Sequence, residues 1–89
     1  MQETVTKLIG LLLTFKQEQD RSKKAVLAKQ VSNICSLNFR IAAKKNQKLA
    51  QLMHPLIALG YFQVHSDKFD PNEKELDRII QKLIQLNNT

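Results

Sequence analysis

The chain has 89 residues, of which 43% are hydrophobic and 25% charged, and a formal net charge of +6. That describes one small domain over residues 1–89, too apolar for intrinsic disorder and long enough to fold without disulfide or metal staples. A single cysteine, Cys35, excludes an intramolecular disulfide, and the longest apolar cluster, Leu8 to Leu13, contains Gly10 and is far too short to span a bilayer.

The first helix is expected from about Glu3 to Gln19. Val5, Leu8, Leu12 and Phe15 recur at helical spacing, and Ile9 and Leu13 widen that face. Gly10 weakens this helix without breaking it. Asp20 and Ser22 are each able to cap the next helix.

A second helix is expected from about Lys23 to Cys35, with Leu27, Val31 and Ile34 inward and Lys29, Ser32 and Asn33 outward. Ser36-Leu37-Asn38 is the expected break, although no Gly or Pro lies between Leu11 and His54. A third helix comes next, over about Phe39 to Leu59, burying Ile41, Ala42, Leu49, Leu52, Met53 and Leu56. Pro55 is expected to kink or divide it, and Gly60 to stop it.

Residues 61–65 read as a short segment with extended character, and Ser66 to Phe69 as a loop. The fourth helix carries the clearest signals. Asp70 reads as its N-cap, Pro71 as its first position and Glu73 as the closing residue of a capping box. Leu76, Ile79, Leu83 and Leu86 repeat at core spacing, flanked by Ile80 and Ile84. The expected fold class is therefore all-α, a small bundle of about four helices. The wide faces of the first and fourth helices suggest a homodimer built on one of them.

The charge is distributed unevenly along the chain. Arg21, Lys23, Lys24, Lys29, Arg40, Lys44, Lys45 and Lys48 fall in one stretch, and no carboxylate occurs between Arg21 and Ser66. Solvated helices ordinarily mix signs, because like charges at i,i+4 repel by about 0.2–0.5 kcal/mol per pair. An anionic partner is the simplest reason for the imbalance. On one helix Arg40, Lys44 and Lys48 would stack at i, i+4 and i+8, with Gln47, Gln51 and His54 on the same side. Such a row suits phosphates, with Arg40 and Gln47 able to reach base edges. Lys23, Lys24 and Lys29 extend the basic stretch, whereas Lys74 and Lys82 belong to a mixed-sign helix and are expected to matter less.

The order of elements (helix, short turn, basic helix, minimal strand near 61–65) matches in outline the layout of a helix-turn-helix or winged-helix reader. With one aromatic in the basic stretch, Phe39, there is little to stack single-stranded bases on. Lysine outnumbers arginine eleven to three, which favours backbone neutralisation over bidentate guanine reading. The expected role is thus a small regulatory protein that binds duplex DNA. A helical adaptor, immunity or inhibitor protein for an acidic protein surface is the alternative.

Catalysis is not expected. His54 and His65 lie eleven residues apart and far from Cys35, which is no zinc spacing. Two glycines make no phosphate loop, and Cys35 falls beside a buried face where a thiol acts as a small hydrophobe. The acids Asp70, Glu73, Glu75 and Asp77 suit the start of a helix without further role. Neither cofactor, metal nor membrane is expected, and with Met1-Gln2-Glu3 in place of a basic leader the expected setting is cytoplasmic.

Overall fold

A computed structural model describes residues 2–62 and 72–88. Four α-helices account for almost all of them: α1 (Gln2–Gln17), α2 (Arg21–Lys45), α3 (Gln47–Ile57) and α4 (Glu73–Asn87), with a 3-10 turn at Ala58–Tyr61 after α3. The expected all-α bundle is what the chain forms.

Each neighbouring pair runs antiparallel. Phe15 near the end of α1 meets Lys24 at the start of α2. Thr6 reaches Asn87, and Lys16 pairs with Asp77, so α4 runs back along α1. Ser32 in the middle of α2 meets Ile57 at the end of α3. The 25 residues of α2 span about 37 Å at 1.5 Å per residue, and the molecule's longest dimension is also 37 Å. This helix is the strut on which α1, α3 and the 3-10 turn lie, while α4 packs against α1 and α3.

The core is a single cluster drawn from all four helices. Val5, Leu8, Leu12 and Phe15 of α1 are buried, as their spacing requires. Leu76, Ile79, Ile80 and Leu83 come from α4, and Leu49, Leu52, Met53 and Leu56 from α3. Leu86 and Ile84 sit at the edge of this cluster, packed but only partly covered. The contribution of α2 is unusually small in volume: Ala28, Val31, Ser32, Cys35 and Ala42. Small side chains let α3 and the 3-10 turn approach closely.

Three boundaries differ from those the residues suggested. The helix expected to break at Ser36-Leu37-Asn38 runs on without interruption, and it ends only at Asn46. Nothing in that tripeptide opposes a helix strongly, and the Asn38 side-chain amide donates to the Ile34 carbonyl one turn back at 2.8 Å. Two burial assignments fail with that break. Ser32 faces inward, because its hydroxyl finds a backbone acceptor there, and Ile41 faces partly outward.

The second difference lies around Pro55. It does not divide α3, which continues for two residues before tightening into the 3-10 turn. Gly60 lies inside that turn with an ordinary negative φ, so it is not a left-handed stop.

The third is the start of α4. Asn72 is its N-cap, with Oδ1 accepting from the Lys74 amide at 2.9 Å. Glu73 is therefore the first helical residue and closes no capping box. The expected cap Asp70, with Pro71, lies outside the described residues, as does most of the segment 61–65 and the loop 66–69. Tyr61 is in the 3-10 turn, and the described residues contain no strand. At the start of α2, Asp20 is the cap, accepting from the Ser22 amide at 2.9 Å.

Gly60 is needed for closeness. A Cβ there would stand 2.7 Å from Ser32 Oγ and 3.3 Å from Ser32 Cβ. The Ser32 hydroxyl cannot turn aside freely, since it donates to the Ile57 carbonyl at 2.8 Å. Gly60→Ala should therefore destabilise the fold by about 1–3 kcal/mol. Much of that loss should disappear when Ser32 is already Ala, which a double-mutant cycle in urea would read as a coupling energy. Independent, additive effects would disprove the contact. In α4, Leu83→Ala should cost about 2–5 kcal/mol by the same assay, as a fully buried leucine does.

Candidate nucleic-acid interface

The candidate site begins with one residue, Asn46. Its backbone is extended (φ −153°, ψ 92°), and that single departure ends one helix and starts another. The Asn46 amide donates to the Ala42 carbonyl at 2.7 Å, the last bond of α2. Its carbonyl accepts from Ala50 at 3.1 Å, and its side-chain oxygen accepts from the Leu49 amide at 3.2 Å. One asparagine thus serves both helix ends. The arms then fold back on each other. The Phe39 and His54 rings, placed almost symmetrically about the turn, lie 6.1 Å apart.

The turn changes what the basic residues look like. Arg40 and Lys44 share a flank of α2 and Lys45 ends it, whereas Gln47, Lys48 and Gln51 belong to α3. The row of i, i+4 and i+8 on one helix does not exist. Instead the hairpin gathers Arg40, Lys44, Lys45 and Lys48 at one end of the molecule. All four are exposed. Among the described residues, ion pairs join Lys16 to Asp77 and Arg78 to Glu75, and none of these four cations takes part in one.

The helix dipoles treat these cations differently. Lys44 and Lys45 occupy the last turn of α2, where positive charge is favoured. Lys48 occupies the first turn of α3, where it is disfavoured by roughly 0.3–1 kcal/mol. An anion seated near Lys48 and the amides of that turn would reverse the penalty.

Lys23 and Lys24 do not join this group. They lie at the other end of α2, about 30 Å away at 1.5 Å per residue. Lys24 is already engaged, its ammonium 4.7 Å from the centre of the Phe15 ring. Arg21 lies 4.8 Å from the centre of the Phe62 ring in the same region, and Phe15 and Phe62 meet edge to face at 5.6 Å. These cations cover the aromatic end of the core. Lys29 is exposed about a third of the way along α2, nearer Lys24 than Arg40.

Two features were not legible in the residue pattern. Leu37 is 80% exposed and Ile41 47%, side by side at i,i+4 on the outer face of α2, next to the flank that carries Arg40 and Lys44. Their angular position, well away from Val31, Cys35 and Ala42, carried that signal once α2 was known to be continuous. The second is a cleft between α3 and α4 lined by Lys48 and Lys82, which places an α4 residue expected to be peripheral beside one expected to be central.

Elsewhere, burial pushes the Cys35 thiol up from its ordinary 9.0 to about 12. It is held as a neutral core group. His54 lies against Phe39, and His65 lies outside the described residues. No cluster of potential metal ligands occurs among the described residues, and no described helix is long and apolar enough to cross a membrane.

The Cys35 thiol implies a pH effect. A raised folded pKa stabilises below the unfolded value and is lost as pH rises toward the folded one. Unfolding free energy should therefore decline between pH 9.0 and about 12, more steeply in the parent than in Cys35→Ala. Identical pH profiles in urea titrations would contradict this.

Comparison with protein-family models, curated proteins and solved structures gave no match to this chain.

Proposed function

We propose that this chain is a small regulatory protein that binds duplex DNA through the end of the α2–α3 hairpin. One observation carries the reading: Arg40, Lys44, Lys45 and Lys48 converge there, exposed and outside any ion pair among the described residues. The chain from Arg21 to Ser66 offers no carboxylate to balance them. A phosphate backbone supplies closely spaced negative charge, and counterion release rewards each cation that replaces a bound salt ion.

The aromatic residues favour a duplex over single strands. Phe15 and Phe62 are buried, and Phe39 is partly covered beside His54. Tyr61 is exposed, but it lies in the 3-10 turn at the other end of the hairpin, so beside Arg40, Lys44, Lys45 and Lys48 no described Phe or Tyr ring stands open for a base to stack on. Arg40 and Gln47 are the side chains proposed to reach base edges, with Gln51 behind them on α3. The one-residue turn at Asn46 is tighter than the turn of about three or four residues in a helix-turn-helix motif. The proposed contact is accordingly made by the hairpin end, with phosphate binding dominant.

A second reading rests on Leu37 and Ile41. Exposed aliphatics flanked by cations suit an acidic protein surface better than phosphates, which supports an adaptor or inhibitor role. A homodimer through α1 or α4 is proposed as well, since Leu13 of α1 remains partly exposed.

Fluorescence titrations of unrelated duplexes at two salt concentrations separate the readings. Lys44→Ala or Lys48→Ala should weaken binding to every sequence and flatten the salt slope by roughly one unit. Arg40→Ala or Gln47→Ala should cost about 1–3 kcal/mol and do so unevenly among sequences. Lys74→Ala removes the same charge from a mixed-sign surface and should change little. Equal losses at Lys44 and Lys74 would reduce the effect to net charge, and no binding at ~50 mM salt would favour the protein partner.

A further inference from the structure

We infer that the seam between α3 and α4 is a binding site for an amphiphilic organic anion, one carrying a phosphate or similar head on a short apolar body. The cleft has a volume of about 520 Å³ and is lined by Lys48, Gln51 and Leu52 on α3 and by Arg78, Lys82 and Leu86 on α4. That volume falls within the range of small-molecule sites.

The cleft exists because α4 is held chiefly by α1. Lys16–Asp77 and Thr6–Asn87 fix it along that helix, while its meeting with α3 is the thinnest in the bundle. The two helices separate where Leu52 and Leu86 would otherwise close the gap. Leu52 is 7% exposed and Leu86 half-buried, so together they form an apolar floor.

The walls above that floor are cationic. Lys48 and Lys82 stand on opposite sides, and neither forms an ion pair with a described residue. Arg78 is committed otherwise: its Nη2 donates to Glu75 Oε1 at 2.6 Å and its Nε to Oε2 at 3.2 Å. That pairing occupies both oxygens of the Glu75 carboxylate. Two ammonium groups are left to share an anionic head, with Gln51 able to donate from its side chain. An uncharged ligand would leave both ammonium groups unmatched, and a bare ion would leave the leucines wet.

This site is separable from the proposed DNA contact, although Lys48 touches both. Lys82 and Leu86 belong to the cleft, whereas Lys44 and Lys45 belong to the hairpin end. The test is calorimetric titration of the full chain with octyl phosphate below its micelle threshold, beside inorganic phosphate, octanol and phosphatidylglycerol vesicles.

Octyl phosphate should bind saturably at one site, and inorganic phosphate and octanol much more weakly. Lys82→Gln should reduce that affinity about tenfold, as the loss of one charge-assisted contact does. Leu86→Gln should weaken it too, and circular dichroism would confirm that both variants fold. Lys44→Gln with Lys45→Gln should leave octyl phosphate binding unchanged. Binding to vesicles in preference to the monomer would assign the head group to a lipid surface and overturn the small-molecule site. Equal affinity for octanol, or no effect of Lys82→Gln, would overturn it as well. DNA binding retained by Lys82→Gln while octyl phosphate binding is lost would show the two sites to be independent.

Discussion

Everything at the basic end of this molecule depends on the chain reversing direction at a single residue. Asn46 closes α2 with its amide and opens α3 with its carbonyl and side chain, so no loop intervenes. Reversal over one residue brings two helices together immediately, and only small side chains tolerate that. Ala42 and Ala50 stand one turn to either side of Asn46, and both are buried. At the far end of the hairpin the same closeness appears as Gly60 against Ser32. Ser32 is polar yet sits in the core without penalty, because the approaching helix end offers it the Ile57 carbonyl.

The cost of the arrangement is electrostatic. A straight helix from Arg21 onward would spread its cations along more than one surface. Reversal concentrates four of them where two helices end. Lys44 and Lys45 gain from the dipole of α2 and Lys48 loses from that of α3, so the grouping is not explained by helix stability alone. Two of the three carboxylates of α4 are in use elsewhere: Asp77 ties α4 to α1, and Glu75 holds Arg78. Hydrogen bonding from Arg78 holds the Glu75 carboxyl below its usual range. An external anion would supply the missing compensation, and both the duplex reading and the cleft between α3 and α4 draw on it.

Much of the fold was legible because periodicity reports burial directly. Val5, Leu8, Leu12 and Phe15 define α1, Asp20 caps α2, and Leu76, Ile79 and Leu83 define the inner face of α4. The differences have a common cause. The average preferences of weakly polar residues such as Ser36, Asn38 and Ser32 say little, because each side chain's fate depends on a partner that periodicity does not show. Asn38 finds the Ile34 carbonyl and stays helical, and Ser32 finds Ile57 and goes inside. Asn46, chemically similar to Asn38, leaves the helix because it can cap the next one. The site was legible as a composition, an acid-free run of cations, but not as a shape. Lys23 and Lys24 lie at the aromatic end of the core, and Lys82 faces Lys48, and both facts are tertiary.

The reversal at Asn46 is proposed to assemble one anion-binding surface from two helices. Amide chemical shifts of isotope-labelled protein, followed as a short DNA duplex is added, test it most directly. The largest changes should fall on both sides of the turn together, from Arg40 to Lys45 and from Gln47 to Gln51, and saturate with a single affinity. Changes confined to one arm, or centred on Lys23 and Lys24 at the opposite end of α2, would contradict it.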